Sequence, residues 1–379
     1  MKNVFAKRKE SGQVFGMKSI LKDYIEEHKI TGMAACIIKD GKIIWKECAG
    51  YADVSKKKPV TADTSFVLAS IGKTFTAVAA MTLVEKGKLN LKDDVNEYLP
   101  FEVRNPNYPD EPITVEMLMT HTSSIIDDRQ YNMDDALVYF RNKDPKITLA
   151  EYVEKYITPD GEYYVEDECF SKEKPGKKYS YSNAGVALLG LIIERVSEMG
   201  CDEFCRKKIW SPLGMKNTAW RLADLDMENA SLPFYEYHKT KGHYNCPDYP
   251  NGLYKSSLSD LAKFLMMFMQ DGTYDGETII SEKTAKLMKK EHFSDDENSV
   301  GLIWCLSDDL IGHDGAEEGS STTMWYDTES NIGVIILCNQ SDVDLEDLYE
   351  EIYEMADEDS EGSEDEDEED SEEEEEDED

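Results

Sequence analysis

The chain contains no run of 18 consecutive apolar residues, so no segment reads as a membrane-spanning helix. It has no C-x-x-C pair: its eight cysteines (Cys36, Cys48, Cys169, Cys201, Cys205, Cys246, Cys305, Cys338) are scattered. If Asp40-Gly41 forms a two-residue hairpin turn, residue 36 lies opposite 45 and residue 48 opposite 33. Cys36 and Cys48 then sit on opposite faces and cannot bridge. Cys201 and Cys205 share a helix face, which is also poor disulfide geometry. Reduced thiols in a cytosol-like compartment are the expectation. The opening MKNVFAKRKESGQVFG lacks the apolar run of a signal peptide and points the same way, to a cytoplasmic protein. Bases are scarce, 41 Lys and Arg against 80 Asp and Glu, for a formal charge of −39. Residues 357–379 hold 19 acids and no base, which leaves 61 acids against 41 bases elsewhere. Even that remainder is acidic, which argues against nucleic acid or an anionic membrane as a partner. Internal repeats are absent. His238, His243 and Cys246 have a loosely metal-like spacing, but no fourth ligand stands near, so neither a metal nor a cofactor is expected.

What is present is enough chain for a sizeable core: 379 residues, read as one large or two interleaved domains. Met17, Ile20, Leu21, Tyr24, Ile25 and His28 fall at helical spacing. Met33–Ile38 and Ile43–Cys48 read as strands joined through Lys39-Asp40-Gly41-Lys42, a type I′ hairpin signal. Ser321–Tyr326 and Gly333–Cys338 read as a second pair, joined by a polar turn. A last helix carries Leu345, Leu348, Ile352 and Met355 on one side. Two hairpins at opposite ends, each flanked by an amphipathic helix, predict one antiparallel sheet built from both chain ends. The domain reading is an N-terminal extension over 1–16, a sheet domain from 17–61 and 251–356, a helix-rich insertion over 62–250, and an acidic tail over 357–379. The tail has nothing to bury, so disorder is expected there.

Three pieces in order carry the chemistry. Ser70-Ile71-Gly72-Lys73 opens an apolar helix, so the amine and the hydroxyl face the same way. A serine hydroxyl is a poor nucleophile at neutral pH, and an adjacent base activates it. Among apolar neighbours such as Phe66, Ile71 and Phe75, Lys73 is expected to have a depressed pKa and act as that base. Tyr181-Ser182-Asn183 follows, on a loop before the apolar helix Val186–Val196. The phenol, beside ammonium-type neighbours, is expected to lose its proton readily and relay it. The Asn183 amide is placed to bind Lys73 and a substrate carbonyl. Last comes Gly312-His313-Asp314-Gly315-Ala316, an edge-strand segment. The Ala316 N–H would stand beside that of Ser70 as an oxyanion hole, with His313 pointing into the cleft.

These motifs resemble the serine β-lactamase and penicillin-binding-protein-like superfamily, in its branch of class C β-lactamases, D-alanyl-D-alanine carboxypeptidases and serine esterases. Further landmarks stand in order: Leu118-Met119-Thr120-His121-Thr122-Ser123, Pro212-Leu213-Gly214-Met215, and Gly252-Leu253-Tyr254-Lys255-Ser256-Ser257 with Asp260. The resemblance spans about residues 30–340. It implies an α/β (α+β) β-lactamase/transpeptidase-like fold. It also implies Ser70 as acylated nucleophile, Lys73 as its base and Tyr181 as second proton-transfer residue. Asn183, His313, Gly315 and Ala316 would bind substrate. Two departures stand out: His313 replaces the lysine common in that motif, and Ser124 stands where glycine is usual.

The function expected is a serine hydrolase acting through a Ser70 acyl-enzyme on an ester, amide or β-lactam-like substrate, a small molecule or peptide. Ester or amide chemistry is favoured over antibiotic defence, because a cytosolic protein does not meet peptidoglycan. The competing reading is a catalytically silent scaffold that uses its acidic tail for interaction; the intact Ser, Lys, Tyr and Asn favour the enzyme. His313 is expected to be raised in pKa by Asp314 and Glu317, and so to read substrate charge as pH falls. Glu166, which precedes Tyr181, is expected to be a solvated acid and not a deacylating glutamate.

Overall fold

A computed structural model describes residues 19–356. The expected extension over 1–16, Met17 of the first helix and the acidic tail over 357–379 lie outside the described residues. The first helix, α1 (Ile20–His28), starts where the Ser19 hydroxyl accepts from Lys22 N, and ends at Lys29 in the left-handed conformation. It buries Leu21 and Ile25. β1 (Gly32–Lys39) and β2 (Lys42–Asp53) follow as a hairpin, with Asp40 at φ 51° and Gly41 at φ 70° in the positive-φ pair a type I′ turn needs.

The register of that hairpin corrects one expectation. It slips between Ile37 and Ile38, so Cys36 lies opposite Lys46 and Cys48 opposite Ala34. A bulge inserts one residue, and with a side-chain period of two that single residue flips the face. Cys36 and Cys48 therefore share a face, as diagonal neighbours. Both remain free thiols, and burial pushes Cys36 up to about 12.

After a short β3 (Lys58–Pro59), the chain leaves through β4 (Ser65–Val67) into α2 (Gly72–Glu85). α2 is buried from Gly72 through Leu83, with no solvated face, as befits a helix at the centre of a fold. α3 (Asn183–Ser197) packs on it, buried from Gly185 to Ile193. The chain returns through β5 (Lys255–Ser257), which pairs antiparallel with β4 and closes the neck of the excursion. α4 (Leu258–Met269) and α5 (Glu282–Lys289) then precede the strands β6 (Phe293–Ser294), β7 (Ser299–Val300), β8 (Cys305–Ser307), β9 (Leu310–Glu317), β10 (Ser320–Asp327) and β11 (Ile332–Cys338).

The nine-stranded antiparallel sheet runs β6-β7-β8-β9-β10-β11-β1-β2-β3, so the two ends of the chain meet at β11 and β1, with Met33 opposite Cys338 and Ile37 opposite Val334. These strands are buried on both faces. Met33, Ala35, Ile37, Val334 and Ile336 pack under α1 and the final helix over 346–356, which contributes Leu348 and Ile352. Ala34, Cys36, Ile38, Ile335 and Leu337 face the other way, into a core continuous with α2, α3 and α4. Each large aliphatic side chain buried here contributes about 1.5–3 kcal/mol relative to leaving it in water. One antiparallel sheet built from both chain ends and flanked by helices is the architecture expected from the sequence. No helix among the described residues is long and apolar enough to cross a membrane.

Candidate active site

Ser70 sits where the extended β4 must turn abruptly into α2. The turn is a 3₁₀ segment, Ala69–Ile71, and Ala69 adopts φ 49°, a left-handed conformation that costs a non-glycine residue about 1–2 kcal/mol. Surrounding contacts hold it there. Thr322 Oγ1 on β10 donates to Leu68 O at 2.8 Å, and Ser320 Oγ donates to Val67 O at 2.6 Å. Two glycines allow backbones to close in. A Cβ on Gly315 of β9 would stand 2.5 Å from Leu68 O, and one on Gly252 would stand 2.7 Å from Ala69 O.

Lys73, one turn along, is fully buried. Its amine donates to Ser70 Oγ at 2.9 Å and to the carbonyl oxygen of Asn251. Burial lowers its pKa to about 7, against the opposing pull of Asp127, Glu317 and Asp248. A neutral amine is thus available near physiological pH, directly beside the hydroxyl. The partner expected for this amine was Asn183; the structure supplies the Asn251 carbonyl instead, and the Asn183 side chain stands on the cleft wall.

Tyr181 covers the pair from the helical side. The Lys73 amine lies 4.8 Å from its ring centroid, and its hydroxyl hydrogen-bonds Ser70. Burial raises the phenol well above its ordinary value. The expectation of an easily ionised phenol therefore fails: desolvation is the largest effect and outweighs the lowering by the hydrogen bond with Ser70. Tyr181 is a neutral phenol, a donor. His121 packs against it with centroids 4.5 Å apart. Its Nδ1 accepts from Ser182 N at 3.2 Å, which assigns the proton to Nε2, and burial holds its pKa well below the imidazole value.

The start of α3 is fixed by a carboxylate that sequence reasoning missed. Asp127 is buried and accepts from Asn183 N at 2.6 Å and Ala184 N at 2.9 Å, while the Ser182 hydroxyl accepts from Gly185 N at 2.9 Å as the cap. Asp127 thereby locks the backbone that carries Tyr181 and Asn183. A second missed group is Asp248, whose Oδ2 accepts from Gln130 Nε2 and Asn251 Nδ2, each at 2.8 Å; this positions the Asn251 carbonyl over Lys73. Neither aspartate lies in a motif. The usable signal was only that each precedes or follows a chemistry-bearing loop by a few residues.

On the sheet side, β8 pairs with β9 over residues 310–312 and no further, so residues 313–317 have β10 on one side and the Ser70 turn on the other. Gly315 and Ala316 run past that turn, and a cleft of about 270 Å³ opens between them, walled by Ser70, Asn183, Asn251, Tyr139, Ala316 and Glu317. His313 is buried, its Nδ1 2.6 Å from Asp314 O, with ring centroids 6.2 Å from Tyr181. Its pKa is lowered to about 4, first by burial and then by Lys73. The expected rise does not occur, because burial dominates, strand alternation sends the Asp314 side chain to Thr323 and Trp325 on the other face, and the Glu317 carboxylate is turned to Tyr139 and Glu318 N.

The remaining sequence markers fall outside the site. Ser124 adopts φ 66°, the conformation glycine would take more easily, and its hydroxyl accepts from Asn105 Nδ2 at 2.9 Å. Glu166 is exposed at the start of a helical turn, Glu166–Cys169. His238 stacks on Tyr237, and Cys246 is buried; among the described residues no group of three His, Cys, Asp or Glu converges to hold a metal.

Comparison with known proteins finds relatives along most of the chain. Protein flp of Staphylococcus aureus (strain N315) is 26% identical over 326 residues, covering 84% of this chain and 62% of its own length. The chain thus spans less than two thirds of that relative. Penicillin-binding protein 4* of Bacillus subtilis (strain 168) is 26% identical over 348 residues, 84% of this chain and 70% of its own. The octameric penicillin-binding protein homologue from Pyrococcus abyssi superposes with a TM-score of 0.69 at 29% identity, covering 84% of this chain and 72% of that one. The beta-lactamase family model matches residues 17–356, nearly the whole chain, and the protein belongs to the beta-lactamase family.

Proposed function

We propose that the protein is a serine hydrolase that forms an acyl-enzyme at Ser70, with esters and amides as preferred acyl donors ahead of β-lactams. The observation that carries this reading is the fully buried Lys73 amine, 2.9 Å from Ser70 Oγ and poised at a pKa of about 7. As the Ser70 Oγ bonds to the acyl carbon, its proton passes to the neutral Lys73 amine. The carbonyl oxygen becomes an oxyanion received by the N–H groups of Ser70 and Ala316. Collapse breaks the bond to the leaving group, which takes a proton from the Tyr181 phenol, and the phenolate is reprotonated by the neighbouring Lys73 ammonium, which returns to the neutral amine. Water then attacks the acyl carbon, gives its proton to the same amine, and releases the carboxylic acid with the Ser70 hydroxyl restored. Asn183 orients the substrate from the helical wall of the cleft.

Preference against β-lactams rests on charge. Penicillins carry a carboxylate, and a lysine in place of His313 would be a permanent cation to receive it. His313, with a pKa near about 4, offers none at neutral pH. The deciding experiment is intact-mass measurement after incubation with a fluorophosphonate, an activated ester and a penicillin in parallel, on wild type and Ser70→Ala. A stoichiometric adduct on wild type, mapped to the Ser70 peptide and absent from the alanine variant, is expected. An adduct that persists in Ser70→Ala removes Ser70 as nucleophile.

A further inference from the structure

Glu317 follows Ala316 on the free edge of β9 and shares the cleft wall with Ser70. Its Oε1 takes both hydrogen bonds it accepts among the described residues, from the Tyr139 hydroxyl and from Glu318 N, each at 2.9 Å. Those two donors fix the carboxylate and leave Oε2 with none. Among the described residues it forms no ion pair, and the Lys73 amine, which feels its charge, is lowered to about 7 by burial. Arg141 and Lys241, the bases on this side, are committed to Glu318, with Arg141 bidentate at Nη1 and Nη2. Asp135 adds a second, exposed acid at the same cleft, and among the described residues no lysine, arginine or histidine lines it.

The field of Glu317 reaches across the cleft. It opposes the burial that lowers Lys73 and adds to the burial that raises Tyr131 and Tyr139. Behind the wall, Asp248 is buried with its Oδ1 unpartnered, so the second layer is acidic as well. A carboxylate-bearing acyl donor meets repulsion from each of these groups. A protonated amine meets an oriented, half-buried acceptor with one oxygen unused.

We infer that the cleft selects acyl donors carrying a protonated amine a few bonds from the scissile carbonyl, with Glu317 as the residue that receives the ammonium. This deepens the hydrolase reading and rests on it: Ser70 still takes the acyl group, and the amine is bound without reacting. Such donors are amino-acid esters and amides or the amino-terminal residue of a peptide, where the amine is on the α-carbon, and longer ω-amino acyl groups. A charge-assisted hydrogen bond in a partly desolvated cleft is worth about 1.5–3 kcal/mol, which corresponds to roughly 10- to 100-fold in kcat/KM.

The test uses p-nitrophenyl esters: propionyl (neutral) against glycyl (α-ammonium), heptanoyl (neutral) against 6-aminohexanoyl (remote ammonium), and succinyl (anionic), each ammonium ester being compared with the neutral ester of its own length. kcat/KM is measured on wild type, Glu317→Gln and Glu317→Lys, with fluorophosphonate labelling of Ser70 counting active sites in each. Glu317→Gln keeps an amide oxygen to accept from Tyr139 and Glu318 N, so the wall stays in place. Wild type is expected to favour glycyl over propionyl by about tenfold or more after correction for spontaneous hydrolysis. That ratio should collapse toward unity in Glu317→Gln, and Glu317→Lys should favour succinyl instead. A larger ratio for 6-aminohexanoyl than for glycyl would move the ammonium to a side-chain position while keeping Glu317 as its partner. A wild-type ratio near one, or the same ratio in Glu317→Gln, overturns the inference while leaving the hydrolase intact. Failure of every ester together with absent Ser70 labelling overturns the hydrolase reading, and this inference with it.

Discussion

His313 and Asp314 are neighbours on β9 and face opposite sides of the sheet: the Asp314 carboxylate accepts from Thr323 Oγ1 and Trp325 Nε1, each at 2.7 Å, while the His313 ring is buried toward Tyr181. One residue of strand alternation separates an acid that would have charged the imidazole from the imidazole itself. With burial dominant, the His313 pKa falls to about 4, so the ring is neutral across the range in which the protein would be assayed.

The first prediction follows from that sign. A histidine lowered to about 4 changes charge only below about pH 5, so it cannot modulate anionic substrates between pH 5.5 and 8.5. The ratio of kcat/KM for propionyl and succinyl p-nitrophenyl esters is therefore expected to be flat from pH 5.5 to 8.5 for its His313-dependent part, with the same profile in His313→Gln. A ratio that climbs toward acid in wild type and flattens in His313→Gln would mean that the imidazole titrates near neutrality.

Lys73 gives the opposite behaviour. Its pKa is depressed to about 7, so the amine is protonated and useless as a base below that value and neutral above it. Acylation by a neutral ester should rise with pH through about 7 and level off, and the Tyr181 phenol, raised well above 10 by burial, should add no second limb in this range. Lys73→Ala and Tyr181→Phe should each slow acylation by about 10²–10⁴-fold, and the double variant by little more than the worse single one, because the two serve one proton path. Stopped-flow acylation across pH 5.5–9 checks both statements; unaltered turnover in Tyr181→Phe would leave the amine as the sole proton carrier.

Much of this site was legible because spacing alone brings Ser70 and Lys73 to one helix face, and because turn chemistry marks the hairpin and the loop before α3. What escaped had physical reasons. Cys36 and Cys48 were placed on opposite faces because a bulge between Ile37 and Ile38 has no residue-type signature, yet it reverses the side-chain parity of everything beyond it. Asp127 and Asn251 escaped because they act on or through backbone groups, Asp127 by accepting from Asn183 N and Ala184 N, Asn251 by its carbonyl. No side-chain pattern records such contacts. The ionisation of Tyr181 and His313 was misjudged for one common cause: sequence proximity shows which charges are near, while burial, the larger effect here, is set by tertiary packing.

A second buried lysine offers a stability test. Lys255 is 4% exposed and donates to Trp220 O at 3.3 Å, Leu253 O at 3.0 Å and the Asn245 side-chain oxygen, and burial lowers its pKa to about 7. In the unfolded chain a lysine binds its proton up to about pH 10.4. Between about 7 and 10.4 the unfolded state therefore holds more protons, and folding stability rises with pH by up to about 1.4 kcal/mol per unit for this group. Urea titrations at pH 7.0, 7.75 and 8.5 should show that slope in the difference between wild type and Lys255→Met. The raised cysteines act in the opposite sense as unfolded thiols ionise at about pH 8.5, but they do so equally in both proteins and cancel in the difference. An identical pH slope in the two proteins would mean that Lys255 stays protonated in the fold, hydrogen-bonded by its three carbonyl-type acceptors.

The closest approach in the site is between Gly315 and the turn that holds Ser70, and it yields the sharpest structural prediction. A methyl group on Gly315 would stand 2.3 Å from Thr322 Oγ1, 2.5 Å from Leu68 O and 3.1 Å from the Ala69 side chain. The threonine can rotate, at the loss of its 2.8 Å hydrogen bond to Leu68 O. The Leu68 carbonyl is backbone and cannot move without displacing Ala69, which already sits at φ 49°. Gly315→Ala must therefore push β9 away from the turn, and the Ala316 N–H with it. The expected stability loss is about 1–3 kcal/mol, typical of overpacking. The expected loss in fluorophosphonate labelling rate is about 10²–10³-fold, typical of one lost oxyanion donor. Ala316→Gly serves as the control: the proposed donor is a backbone N–H and the Ala316 side chain is exposed, so labelling should stay within about threefold of wild type, inside the scatter of a change that removes no donor. If Gly315→Ala folds and labels Ser70 at the wild-type rate, the Ala316 N–H is not part of the oxyanion site, and the second donor must come from the helical wall.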